Sequence, residues 1–168
     1  MRLFVAVWPP ADVIDGLRGL ERPPVHGVRW TTPDQWHVTL RFLGELPSAS
    51  ALSAAIHGIA LPAATAVMGP SAARPSPALL WLPVAGLDDL AAAVIGATAS
   101  LGELEERPFR GHLTLARAGR RAARGAFRGL PALGLSARWE VEEVTVVRST
   151  TGGPGARYEV IERFPVGA

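Results

Sequence analysis

Two short segments repeat a pattern of side chains that can move protons. Trp36-His37-Val38-Thr39-Leu40-Arg41 is matched by Gly111-His112-Leu113-Thr114-Leu115-Ala116-Arg117, with the two histidines 75 residues apart in a chain of 168. An imidazole with an ordinary pKa of about 6.5 offers both protonation states near neutrality. One neutral histidine can therefore take a proton from an attacking oxygen while a second, protonated one gives a proton to the leaving oxygen. Threonine hydroxyls can donate to non-bridging phosphate oxygens as charge builds there, and arginine can do so more strongly. The set suits acid–base cleavage of a phosphodiester, with no metal and no cofactor in the mechanism. Neither tetrad holds an Asp, a Glu or a further His, so it suits zinc or iron poorly. On pattern alone a pair of ordinary half-exposed strands stays open beside the functional reading.

Side chains alternate faces along a strand, so His37 and Thr39 project to one side while Val38 and Leu40 project to the other, and the second copy behaves alike. Each strand thus offers an apolar pair to a core and a His–Thr pair to the opposite face. The spacing of the copies is near half the chain length, as a duplication of two similar lobes would give. If a pseudo-twofold relates the lobes, the two polar faces meet across a groove. The same alternation puts Arg41 on the cleft face and Arg117 on the other, unless the second strand bulges or ends first. Trp36 falls on the face of Val38 and is expected in the core, whereas Tyr158 and Phe109 are the aromatics available for base stacking.

The remaining pattern predicts short strands and helices in alternation. Strands are expected at Leu3–Val7, Gln35–Leu43 (closed by Gly44), Ala78–Val84, His112–Arg117, Arg138–Arg148 and Arg157–Phe164, the last two joined by the turn-rich Thr150–Gly155. Helices are expected at Pro10–Leu20, at Ser48–Ile59 with Ser48 as its cap, and at Leu87–Leu101 with acids in its first turn. The class is mixed α+β, and no linker or shift in composition divides the chain, so residues 1–168 are read as one domain.

Composition narrows the chemistry further. There is no Cys, which removes disulfides, thiolate nucleophiles and Cys-ligated metals. All 17 basic residues are Arg, so the phosphate-binding Lys of a P-loop and any lysyl adenylate are missing. No apolar run approaches the roughly 20 residues of a membrane-spanning helix, and the start lacks the features of a secretory signal, so a cytoplasmic location is expected. Net charge is only +2, yet Arg107–Arg128 carries seven Arg and no acid. Such a stripe reads either as a surface for a phosphate-rich partner or as a solvated loop. His26 and His57 have no comparable context.

WHVTLRFLG at Trp36–Gly44 and HLTLAR at His112–Arg117 resemble the paired signatures of the two-histidine phosphoesterase superfamily, most closely the RNA 2',3'-cyclic phosphodiesterases formerly called 2'-5' RNA ligases. RLFVAVWPP, RPFRGH and GARYEVIERFPV extend the similarity over nearly the whole chain. The resemblance implies a bilobal α+β fold of two pseudo-symmetric antiparallel-sheet lobes, helices outside and a central cleft. It also implies metal-independent hydrolysis of a terminal 2',3'-cyclic phosphate to a 2'-phosphate, with ATP-independent 2'-5' joining as its reversal. In those terms His37 is the proton donor, His112 the acceptor, Thr39 and Thr114 hold the phosphate, and Arg41, Arg117 and Tyr158 are further substrate contacts. The implied partners are RNAs with cyclic phosphate ends, tRNA fragments among them, met by a monomer without a membrane. A non-catalytic RNA- or phosphate-binding module on the same fold is the alternative. Gly111 departs from the Pro that many relatives have before the second histidine, which is expected to loosen the backbone there.

Overall fold

Every pairing between strands in the computed structural model, which describes residues 1–103, 106–152 and 155–167, is antiparallel. The strands are β1 (Arg2–Val7), β2 (Val28–Trp30), β3 (Val38–Glu45), β4 (Thr65–Met68), β5 (Ala73–Ser76), β6 (Leu79–Ala85), β7 (His112–Ala118), β8 (Ala137–Glu140), β9 (Glu143–Gly152) and β10 (Gly155–Pro165). They lie in the order β10-β9-β1-β3-β7-β6-β4-β8, with β2 beside β7 and β5 beside β6. The class is α+β, as expected.

Three helices cover one face of the sheet. α1 (Ala11–Arg18) starts after Pro10, whose fixed φ suits a helix entry, and buries Val13 and Leu17. α2 (Ser50–His57) buries Leu52 and Ile56, and α3 (Asp88–Ala97) buries Leu90, Ala91 and Val94 behind a first turn carrying Asp88 and Asp89. These side chains join Leu3, Val5, Val7, Leu40, Leu82, Leu113 and Val146 in one cluster. The residues that alternate with them in β1 and β9 form a small separate cluster of Phe4, Ala6 and Val147 on the opposite face. That uncovered face is the one the site occupies.

Three sequence expectations fail here. Ser48 does not cap α2, because the helix begins two residues later and Ala49 holds the cap position without a side-chain bond. Arg138–Arg148 is not one strand: Val141 donates to the carbonyl of Ala64 and Glu142 accepts from Val166, which splits the run into β8 and β9 in different halves of the sheet. Of the expected Thr150–Gly155 turn, Thr150–Gly152 continue β9 and Gly155 opens β10, while residues 153 and 154 lie outside the described residues.

The two halves of the sheet, β10-β9-β1-β3 and β7-β6-β4-β8, are paired through one register position, Val38 opposite Leu113. Both side chains are fully buried. Antiparallel alternation around this pair sets His37 across from Thr114 and Thr39 across from His112. The two motifs are thus the two sides of a single junction.

Each motif strand then carries an irregularity at the same place. Opposite β1, Thr39 faces Ala6 and Arg41 faces Val5, so Leu40 is extra. Opposite β6, Thr114 faces Trp81 and Ala116 faces Leu80, so Leu115 is extra. A bulge of one residue switches the faces of everything beyond it. Leu40 and Arg41 consequently both turn inward, as do Leu115 and Ala116, and Phe42 and Arg117 come to the cleft face.

Because Leu113 is fully buried at the junction, Leu113→Ala should destabilise the protein by about 2–5 kcal/mol, the usual cost of such a truncation. Chemical denaturation measures it, and a loss below about 1 kcal/mol would show that the halves are held mainly elsewhere.

Candidate active site

On the uncovered face, a cleft of about 450 Å³ opens to solvent and is lined by Arg29, Thr31, Gln35, His37, Thr39, His112, Thr114, Arg117 and Tyr158. Four of the seven side chains singled out as site residues from the sequence are the His–Thr pairs, and all four line it. Among the described residues the hydroxyls of Thr39 and Thr114 have no protein hydrogen-bond partner. They are therefore available to donate to an anion.

Both histidines are oriented by the same local device. The ring Nδ1 of His37 lies 2.8 Å from the carbonyl oxygen of Gln35, and that of His112 lies 2.7 Å from the carbonyl oxygen of Arg110. A carbonyl only accepts, so Nδ1 must carry a proton and donate in each ring. The neutral form is then fixed as the Nδ1–H tautomer, and Nε2 is the atom left to take up or give a proton.

The carbonyls are set by the backbone just before each strand. Pro33–Gln35 forms one turn of 3-10 helix, closed by a bond from the Gln35 amide to the Thr32 carbonyl, and the Gln35 side chain donates to the Ala156 carbonyl on β10. In the second motif Gly111 accepts from the Val84 amide, and a Cβ at Gly111 would lie 2.1 Å from the Val84 carbonyl oxygen. Gly111 is thus a place of close backbone approach, a reason for glycine there that the sequence did not show.

The surroundings of the two rings differ. His37 is enclosed by aromatic rings, with Phe4, Trp8 and Tyr158 at centroid distances of 4.9, 5.1 and 4.9 Å. Burial among them lowers its pKa to about 4, against the opposing bond to Gln35, with the positive charges of Arg117 and His112 lowering it further. His112 is more open to solvent and stacks on Trp81 at 3.8 Å. Its pKa is also lowered, first by desolvation and then by Arg117 and Arg110.

Of the three remaining sequence candidates, Arg117 and Tyr158 line the cleft and Arg41 does not. Arg41 is 5% exposed and donates to the carbonyl oxygens of Leu101 and Glu103 at 3.0 and 3.4 Å, which ties β3 to the segment after α3. The bulge at Leu40 reverses the parity on which Arg41 was placed in the cleft, and the bulge at Leu115 brings Arg117 there instead. Phe109 packs against the main core and not in the cleft. Trp36 is buried as expected, its indole N–H donating to the Thr31 hydroxyl. Sequence reasoning missed Arg29, Thr31, Gln35 and Trp81. Trp81 had a usable signal, since it shares the parity of Leu79 in an expected strand whose Leu80 and Leu82 face the core.

Residues 5–153 match the family described as the 2'-5' RNA ligase superfamily. The chain belongs to that superfamily. It is 33% identical over 151 residues to an RNA 2',3'-cyclic phosphodiesterase of Geobacillus stearothermophilus, an alignment covering 82% of this chain and 47% of the relative. A protein of the same name from Thermus thermophilus is 31% identical over 98% of this chain and 89% of its own. The chain therefore spans about half the length of the first relative and nearly all of the second. Among solved structures, TT0787 of Thermus thermophilus superposes with a TM-score of 0.80 at 27% identity, covering 99% of this chain and 98% of the other. E. coli LigT complexed with 3'-AMP gives 0.79 at 29% identity with the same coverage.

Two predictions follow from the placement of Arg41 and His37. Arg41→Leu should cost about 2 kcal/mol of stability, since the carbonyls of Leu101 and Glu103 lose a charged donor, while leaving KM for a phosphodiester within about twofold. Equilibrium unfolding and steady-state kinetics separate the two effects. His37 binds a proton less readily when folded than unfolded, so its contribution to stability is present above about pH 6.5 and is lost as pH falls toward 4. His37→Gln should flatten the unfolding free energy across that window, and an unchanged pH profile would contradict the enclosed site described for this ring.

Proposed function

We propose that this chain hydrolyses the 2',3'-cyclic phosphate at RNA ends to a 2'-phosphate by acid–base catalysis between two histidines, the chain acting as one catalytic unit. The observation that carries this reading is the convergence of two Nδ1-tethered histidines, two unpartnered threonine hydroxyls and Arg117 on one cleft. The superfamily and the phosphodiesterase names of its relatives support the same chemistry, and the E. coli relative's complex with 3'-AMP shows a nucleotide bound to such a protein.

The reaction divides between the rings by their surroundings. His112, the more open to water, deprotonates an attacking water molecule through Nε2. His37, enclosed by aromatic rings where a nucleoside would lie, gives its Nε2 proton to the departing 3'-oxygen. The P–O3' bond breaks as the new P–O bond forms, and the phosphate stays on O2'. Thr39, Thr114 and Arg117 donate to the non-bridging oxygens as their charge grows. Tyr158 lies against His37 at the position of the terminal base or sugar. Joining of 2'-5' ends follows the same sequence with a ribose 5'-hydroxyl in place of the attacking water: O5' bonds to phosphorus as the P–O3' bond breaks, and O3' takes the proton.

Both histidines are mostly neutral near pH 7 in the free protein, because both pKa values are lowered. A bound phosphate favours the imidazolium and restores the donor's proton. The pH profile of kcat/KM, which reports the free protein, should be bell-shaped with its maximum on the acid side of about pH 6.5. A maximum well above pH 7 would contradict the depressed values.

The test is incubation with a nucleoside 2',3'-cyclic phosphate and with a cyclic-phosphate-ended oligonucleotide in EDTA and without ATP. Turnover to the 2'-phosphate is expected in both. Formation of the 3'-phosphate, or a requirement for zinc or manganese, would overturn the mechanism, and tight binding without turnover would return the chain to an RNA-binding module. His37→Ala and His112→Ala should each lower turnover by on the order of 10²–10⁴-fold, and Thr39→Ala or Thr114→Ala by at most about 10³-fold. An aryl ester whose phenolate leaves without a proton should rescue His37→Ala alone, and rescue of His112→Ala instead would reverse the roles.

A further inference from the structure

Arg29 stands eight residues before His37 on β2, directly opposite Arg117 on β7, and both line the cleft. Among the described residues the charged and titratable side chains that line this cleft are arginines, histidines and a tyrosine, with no carboxylate, a lining that suits an anionic ligand. The two arginines nevertheless serve different places. Arg117 is among the charges that lower the pKa of both histidines. The end of Arg29 is instead turned toward β10, where its Nη1 would lie 2.1 Å from a Cβ placed on Gly155, beside the Gln35 side chain. Along β7, Leu115 is extra, so Arg117 and its partner Arg29 stand two register positions beyond Thr114, which is about 7 Å at 3.3 Å per residue. The cleft thus has a first anion position between the histidines and a second at its β2–β10 end, with Tyr158 lining the same cleft.

Resting on the reading above, we propose that Arg29 holds the phosphodiester joining the terminal nucleoside to its 5' neighbour, and so makes the site prefer an oligonucleotide end to a mononucleotide. Arg29 is then a specificity residue that touches substrate but not the reacting phosphate. Its guanidinium meets a single negative charge, with the two N–H donors on one edge directed at the two non-bridging oxygens.

Three substrates test this: a nucleoside 2',3'-cyclic phosphate, a dinucleotide with the same cyclic end, and that dinucleotide with an uncharged methylphosphonate linkage. In the unaltered protein the charged dinucleotide should have the highest kcat/KM. Arg29→Gln should lower the ratio of kcat/KM for the charged dinucleotide over the mononucleotide by about ten- to hundredfold, the worth of one charge-assisted contact. The same substitution should change the ratio for the uncharged dinucleotide by less than about threefold. Gly155→Ala, which pushes the guanidinium aside while keeping its charge, should move the ratio in the same direction and serves if Arg29→Gln does not fold. Equal losses on all three substrates would place Arg29 at the reacting phosphate and overturn the proposal, as would an unmoved ratio. Hydrolysis of none of the three by the unaltered protein would instead remove the phosphodiesterase reading and this inference with it.

Discussion

The pairing of Val38 with Leu113 is the constraint on which the site depends. An antiparallel pair is symmetric, so whatever flanks one member is presented to the complementary flank of the other. His37 meets Thr114 and Thr39 meets His112 for that reason alone. The residues at the junction are apolar, fully buried and held from behind by the helix-covered core, so the polar flanks are placed by packing that takes no part in chemistry. The junction is braced beside the pair as well. The Thr31 amide donates to the Leu115 carbonyl, and the Thr31 hydroxyl lies 2.7 and 2.9 Å from the carbonyls of Thr114 and Leu115 while accepting from the Trp36 indole. The residue just before the first histidine is thereby tied to the strand of the second.

Symmetry ends where the side chains differ. The bulges at Leu40 and Leu115 are equivalent, yet the residue beyond the first, Phe42, packs against the Phe4 cluster, whereas the residue beyond the second, Arg117, lines the cleft. One wall is accordingly aromatic and apolar around His37, and the other carries the charge beside His112. Two copies of one backbone device have become an enclosed ring and an open one. The difference in proton affinity between the histidines follows from this contrast in surroundings, since both make the same bond to the carbonyl two residues back.

The sequence revealed the paired strands and their faces because alternation is a local property and the tetrads are long enough to display it. It also showed the three helices, whose apolar faces are local too, although α2 enters past the expected Ser48 cap. What it could not show was decided by contacts distant along the chain. Arg41 and Arg117 exchanged places because each bulge exists only against a neighbouring strand, β1 or β6, and nothing inside the tetrads announces it. β2 has three residues and β5 four, too few for a periodic signal, and with β2 went Arg29. The splitting of β8 from β9 likewise depends on Val141 and Glu142 finding partners at Ala64 and Val166.

Among the described residues the cleft is lined by histidines, threonines, arginines, a glutamine and a tyrosine, with no carboxylate. A cyclic phosphodiester carries one negative charge, while the monoester it opens into carries nearly two at neutral pH. The groups that favour the transition state therefore favour the product over the substrate as well. In the proposed reaction, departure of the phosphomonoester end is then the demanding part of the cycle, and an open cleft, with solvent at Arg117 and His112, gives it a route out.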